Sequence, residues 1–176
     1  MTRFCVSAAL LLTACSANNS EATTTDSPAS SASVGSEGST ESAESDASAP
    51  EGQANVTTVT ATGEAGSYTF AVTLASPDTG CDQYANWWEV LNADGALLYR
   101  RILGHSHVDE QPFSRTGGPV AVDAEQVVFV RAHMNNGGFG GVLTGTVAGG
   151  FSEARALPEI AASIEAAEPQ PTGCAF

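Results

Sequence analysis

Of the three histidines in this 176-residue chain, two stand two residues apart, at His105 and His107. In an extended segment, residues i and i+2 point to the same side. His105-Ser106-His107 would therefore aim two ring nitrogens one way. Neutral imidazole suits zinc and copper. His133, or one of the adjacent acids Asp109 and Glu110, would bring the set to three or four ligands. A Zn or Cu site on His105, His107 and His133 is one expectation. Against it, the His-x-His spacing also arises by chance, loop histidines often hydrogen-bond to backbone, and Pro112 makes this loop irregular.

The second set is cationic. Arg100 and Arg101 precede the loop, Arg115 lies within it and Arg131 follows downstream, with Glu89, Asp109 and Glu110 as counter-charges. Guanidinium groups beside carboxylates and indoles do one of two things. They form a buried ion-pair and cation–π network that fixes structure, or they line a pocket for a carboxylate or phosphate ligand. Residue types alone leave both readings open. The run Asn135 to Gly141 is rich in glycine but lacks the strand–glycine–helix setting of a phosphate loop, and reads as a hairpin tip. There is no serine elbow and no nucleophile with an evident base. The expectation is a non-enzymatic domain with no catalytic residues and no cofactor beyond the conditional metal.

The elements that must position these groups read as strands. Ser67 to Ala75 alternates, with Tyr68, Phe70, Val72 and Leu74 on one face and Thr69, Ala71 and Thr73 on the other. Val56 to Thr62 precedes it as a first strand. Asn86–Asn92 and Ala96–Leu103 flank Asn92-Ala93-Asp94-Gly95, which suits a type I turn closed by a glycine bulge. Continuing that register places Trp88 opposite Arg100 and Trp87 opposite Arg101. Both faces of the hairpin are largely apolar, which predicts a central position covered on both sides. Gly117-Gly118-Pro119 is expected to turn the chain into a short strand, Val120 to Val122. Gln126 to Met134 and Val142 to Ala148 follow as strands. Leu157, Ile160, Ala161 and Ile164 fit one face of a short helix between Pro158 and Pro169. Residues 56–176 thus predict a mostly β domain: an antiparallel β-sandwich or open barrel of about seven strands with one short C-terminal helix.

Twenty acids face six arginines and no lysine, a formal charge of -14. That excludes nucleic acid, whose phosphates require a basic surface, and adsorption to anionic lipid. Residues 16–55 carry Ser, Ala, Thr, acids and a single large apolar residue, Val34. They cannot bury enough surface to offset ordering, and are expected to form a disordered acidic tether.

Arg3 followed by the apolar run Phe4 to Leu12 reads as a secretory signal, too short to span a bilayer. The run ends Leu12-Thr13-Ala14-Cys15, which resembles the bacterial lipobox. That resemblance implies a signal peptide over 1–14, diacylglycerol on the Cys15 thiol and anchoring to a cell membrane or outer membrane. The alternative is an ordinary signal cut at Ala14 or another small-residue site. With Cys5 in the signal and Cys15 on lipid, Cys81 and Cys174 remain for a disulfide. A reactive thiol is the other reading, but it lacks a CxxC pair. The segments Cys81 to Val90, Leu98 to Arg101, His105 to Phe113 and Arg131 to Met134 are similar to a family of small secreted bacterial lipoproteins. This resemblance covers about residues 66–150 and implies an envelope location without an activity. The expected partners are the bilayer, through the anchor, and a protein or small molecule held by the β domain.

Overall fold

The computed structural model describes residues 52–175; the signal, Cys15 and most of the tether segment lie outside the described residues. Nine strands form two antiparallel sheets. They are β1 (Asn55–Glu64), β2 (Ser67–Ala75), β3 (Ala85–Asn92), β4 (Leu97–Ile102), β5 (Phe113–Val120), β6 (Val128–Met134), β7 (Gly138–Phe139), β8 (Leu143–Thr146) and β9 (Gly150–Glu153). One sheet has the order β1-β2-β5; the other runs β4-β3-β6-β8-β9, with β7 also paired to β6. The architecture is a sandwich with open edges. The alternation in β2 places Tyr68, Phe70, Val72 and Leu74 in the core. They meet Trp88 and Val90 of β3, Val128, Val130, Ala132 and Met134 of β6, and Phe113 and Val120 of β5.

Strand β3 is buried from Ala85 through Leu91, so both of its faces are covered as the hairpin pattern predicts. Its partner β4 is an edge strand, which corrects the expectation of a wholly central hairpin. Arg101, exposed on that edge, donates from Nε to the Thr116 carbonyl (3.1 Å) and ties β4 to β5 across the sandwich corner. The turn forms as expected: the Gly95 amide donates to the Asn92 carbonyl and the Asn92 amide to the Ala96 carbonyl, both at 3.0 Å, with Gly95 at φ 76°. One step further the register slips. Leu91 pairs with Leu97 but Val90 pairs with Tyr99, so Leu98 is bulged out. A β-bulge reverses the faces of everything beyond it. Glu89 therefore stands opposite Arg100 and Trp88 opposite Arg101, where uninterrupted pairing would set Trp88 against Arg100.

Two further corrections concern glycine and the C-terminus. Gly117-Gly118-Pro119 lies inside β5, and the expected 120–122 strand retains only Val120. Gly117 is required by packing: a Cβ there would lie 2.7 Å from Tyr99 Oη and 2.9 Å from Trp88 Cη2. Pro119, which has no N–H to offer a neighbour, sits on an edge strand. Gly117→Ala is expected to destabilise the fold by about 1–3 kcal/mol through overpacking, read by urea denaturation. The predicted helix at 157–164 is replaced by a single 3-10 turn, Ala162–Ile164, with no buried residue. Its apolar face does not reach the core, and Leu157 is 50% exposed. Residues 154–175 run instead as an irregular strap.

Candidate functional site

The chemistry-bearing residues fall into two separate groups. On the outer face of β3 and β6, Glu89 is fully buried between two arginines. Arg100 places Nε at 2.9 Å and Nη2 at 2.7 Å from Glu89 Oε2; Arg131 places Nε and Nη2 each at 2.7 Å from Oε1. The surplus positive charge is neutralised by dipoles and π faces. Arg100 also donates to the strap carbonyls of Ile164 (2.6 Å), Glu165 (3.4 Å), Ala167 and Pro169 (3.3 Å). Its guanidinium lies 4.6 Å over the Trp87 ring, and that of Arg131 lies 3.4 Å over Phe139. Most of the donors that could grip a carboxylate or phosphate ligand are thus already engaged. The structural reading of this arginine set is the one the geometry favours.

His133 belongs to that outer face. Its ring stacks on Trp87 (3.8 Å, 5°), Nδ1 lies 2.8 Å from Asn86 Oδ1, and Nε2 lies 3.5 Å from a Glu165 carboxylate oxygen. This corrects the expectation that His105, His107 and His133 would converge. Among the described residues, no three His, Cys, Asp or Glu side chains form a preformed metal cluster. His133 stands on a rigid strand whose alternation commits it to the face opposite the sandwich core.

The second group is a concave pocket of about 440 Å³ lined by His105 to Glu110 and Ala175. His107 is buried, and its ring stacks on Phe113 at 3.7 Å and 6°. The His105 ring lies 4.3 Å away, tilted by 37°. The loop is held by Asp78, which sequence reading does not single out. Asp78 Oδ2 accepts the His107 amide (2.8 Å), while Oδ1 accepts the Ala85 amide (3.0 Å) and the Ser76 hydroxyl (2.7 Å). A turn aspartate that captures backbone N–H groups was the available signal. Gln111 completes the frame, donating to the His107 carbonyl at 3.0 Å and accepting the Ser76 amide at 2.9 Å.

Glu110 is paired with Arg115 at 2.8 Å on the pocket rim, and the hydrogen bond from that guanidinium holds its carboxyl below the usual range. Arg115 also lies 5.3 Å over Phe113, while Asp109 is exposed on the same rim. Among the described residues, neither ring nitrogen of His107 nor the buried Ser106 hydroxyl has a hydrogen-bond partner. The indole N–H groups of Trp87 and Trp88 are also unpartnered, but each is one donor inside packed side chains. The Ser106 hydroxyl and the His107 ring are the unpartnered buried groups whose residues also line the pocket.

Burial lowers the pKa of His107, as do the Arg115 and His105 charges, and Asp78 and Glu110 oppose them without prevailing. Burial likewise lowers the pKa of His133 against the pull of Glu165. Unfolded histidine titrates near about 6.5. Below that pH the unfolded chain binds protons that the folded chain refuses, so stability is lost as pH falls. Each tenfold difference in proton affinity costs about 1.4 kcal/mol per histidine. With chelator present, urea midpoints are expected to hold from pH 8 to 7 and to drop between pH 6.5 and 5. A midpoint flat down to pH 5 would contradict both neutral histidines.

Cys81 and Cys174 form the expected disulfide, with Cα atoms 5.6 Å apart. No helix among the described residues is long and apolar enough to cross a membrane. No protein-family model matches the chain, and no solved structure matches it. The chain is similar to a protein of Halomicrobium mukohataei named "Putative lipoprotein", 39% identical over 90 residues. The match covers 51% of this chain and 44% of that protein, so the chain spans less than half its relative's length.

Proposed function

We propose that the chain is a lipid-anchored cell-envelope protein whose β-sandwich is a non-enzymatic binding module, with the 105–110 pocket as its site. The observation that carries the binding half is the pocket formed by His105 to Glu110 and Ala175, with the unpartnered Ser106 hydroxyl and the buried, unpartnered His107 ring in the same loop. A buried polar group left unsatisfied costs about 1–3 kcal/mol, so such atoms commonly mark the place of a ligand or ordered water. Sequence supports the anchoring half: Leu12-Thr13-Ala14-Cys15 supplies a lipid-accepting thiol, and a relative carries a lipoprotein's name. One acyl chain holds a protein only marginally, while two or three hold it stably.

Two measurements test the two halves. Palmitate labelling of the full chain is expected to vanish in Cys15→Ser; label that persists would refute anchoring at that thiol. For the module, a fragment library screened by NMR is expected to shift the resonances of residues 105–110 and Ala175. If no compound moves them, the pocket is not a binding site.

A further inference from the structure

We infer that Asn55 is an acceptor for N-linked glycan, carried on its side-chain nitrogen at the start of β1. Asn55-Val56-Thr57 is an Asn-x-Ser/Thr tripeptide without proline, the pattern that glycosyl transfer to asparagine requires in exported chains. The inference needs export alone, which the Cys81–Cys174 disulfide supports, and needs neither the lipid anchor nor the 105–110 pocket. The geometry suits an acceptor. Asn55 is half-buried at the first position of the strand, and Thr57 is exposed. The Gly141 amide donates to Asn55 Oδ1 at 2.6 Å. Asn55 Nδ2 donates to the Gln53 carbonyl at a long 3.4 Å. A glycosylated asparagine keeps its carbonyl oxygen as an acceptor and one proton on the nitrogen. The bond from Gly141 is therefore retained, and the modification puts at stake the weak Nδ2 contact alone.

The transfer balances as a substitution at the sugar. A lipid-linked oligosaccharide supplies the anomeric carbon. The bond from Nδ2 to that carbon forms, and the bond from the carbon to the carrier's phosphate oxygen breaks. The phosphate leaves with the electron pair, and Nδ2 gives up one proton. The place on the fold gives the glycan a physical use. β1 is an outer strand of its sheet, and its ten residues hold no lysine, no proline and one charge, Glu64 at the far end. A long edge strand rich in Val and Thr invites pairing with another chain, and such edges are usually blunted by charge, proline or a bulge. β1 has a register irregularity between Val56 and Thr58, inside the tripeptide. A bulky, hydrated group on Asn55 adds, at the same end, cover that the composition of the strand leaves out.

The test uses full chain recovered from the envelope of its own host and mapped by peptide mass spectrometry. The peptide containing Asn55 is expected to be heavier by whole hexose or hexosamine residues. That increment should vanish in Thr57→Val, which keeps the Asn55 carboxamide and its bond from Gly141, and persist in Thr57→Ser. Asn55→Gln would disturb the Gly141 bond as well, so the Thr57 pair carries the test. An Asn55 peptide of unmodified mass, or an increment unchanged in Thr57→Val, would overturn the inference. Sugar confined to Asn18-Asn19-Ser20, the other such tripeptide of the sequence, would overturn it too. Failure here is distinct from failure of the anchoring reading: palmitate on a chain whose Asn55 is bare removes the glycan and leaves the anchor.

Discussion

Glu89→Gln is expected to remove about 3–5 kcal/mol of folding stability, because it leaves two buried guanidinium groups without their shared anion. Glu89 is fully buried, the Arg100 side chain is 0% exposed and that of Arg131 8% exposed. Water cannot replace the lost carboxylate without opening the sheet's outer face. Single losses on the other side of the network should rank differently. Arg131→Met leaves Glu89 paired with Arg100 and gives up a stack on Phe139. Arg100→Met also releases the strap carbonyls of Ile164, Glu165, Ala167 and Pro169, and should cost more. Urea denaturation reads all three. A Glu89→Gln loss below about 1 kcal/mol would mean the carboxylate is replaceable and the network does not hold the strap.

This network also shows how far the sequence could be read. Residue types placed Glu89, Arg100, Arg101 and Arg131 in one candidate network, but the expected register set Arg101 against Trp87 and Arg100 against Trp88, whereas Arg100 lies over Trp87 and binds Glu89. Their geometry depended on a bulged leucine that the pattern could not reveal. Leu97 and Leu98 are both apolar, so either register buries a leucine, and only packing of Tyr99 against Trp88 (5.6 Å) and Gly117 selects one. The β2 alternation and the asparagine–glycine turn were legible because local sterics decide them. The strap was not. Leu157, Ile160, Ala161 and Ile164 have helical spacing, but a helix of that length is stabilised chiefly by burying its face. Here Arg100 takes the backbone carbonyls and the face stays outside. His105, His107 and Asp109 were legible as donors sharing a loop. Separating them from His133 needed the sheet, since a strand's alternation fixes which side of a layer a histidine occupies.

The largest single effect expected outside that network is loss of the Cys81–Cys174 bridge. The two cysteines are 93 residues apart in sequence, and the chain-entropy model gives about 4–5 kcal/mol for a loop of that size. The strap explains why the bridge matters to the native state as well. Its 3-10 turn buries no side chain, so it rests on carbonyls donated to by Arg100, the Glu165 contact with His133, and its end. At that end the Ala175 amide donates to the Gly104 carbonyl at 2.8 Å, one residue beyond Cys174. Cutting the bridge should therefore free the strap before the sandwich itself unfolds. Cys81→Ser with Cys174→Ser is expected to lower stability by about 2–5 kcal/mol. Amide protection should be lost first over 155–175, while β2, β3 and β6 stay protected. Because Ala175 forms one wall of the histidine pocket, fragment-induced shifts at residues 105–110 should weaken in the same variant even where the sheets remain folded. Uniform loss of protection across strap and sheets would instead make the strap an integral part of one cooperative unit. Thermal melts identical with and without reductant would remove the bridge from the account altogether.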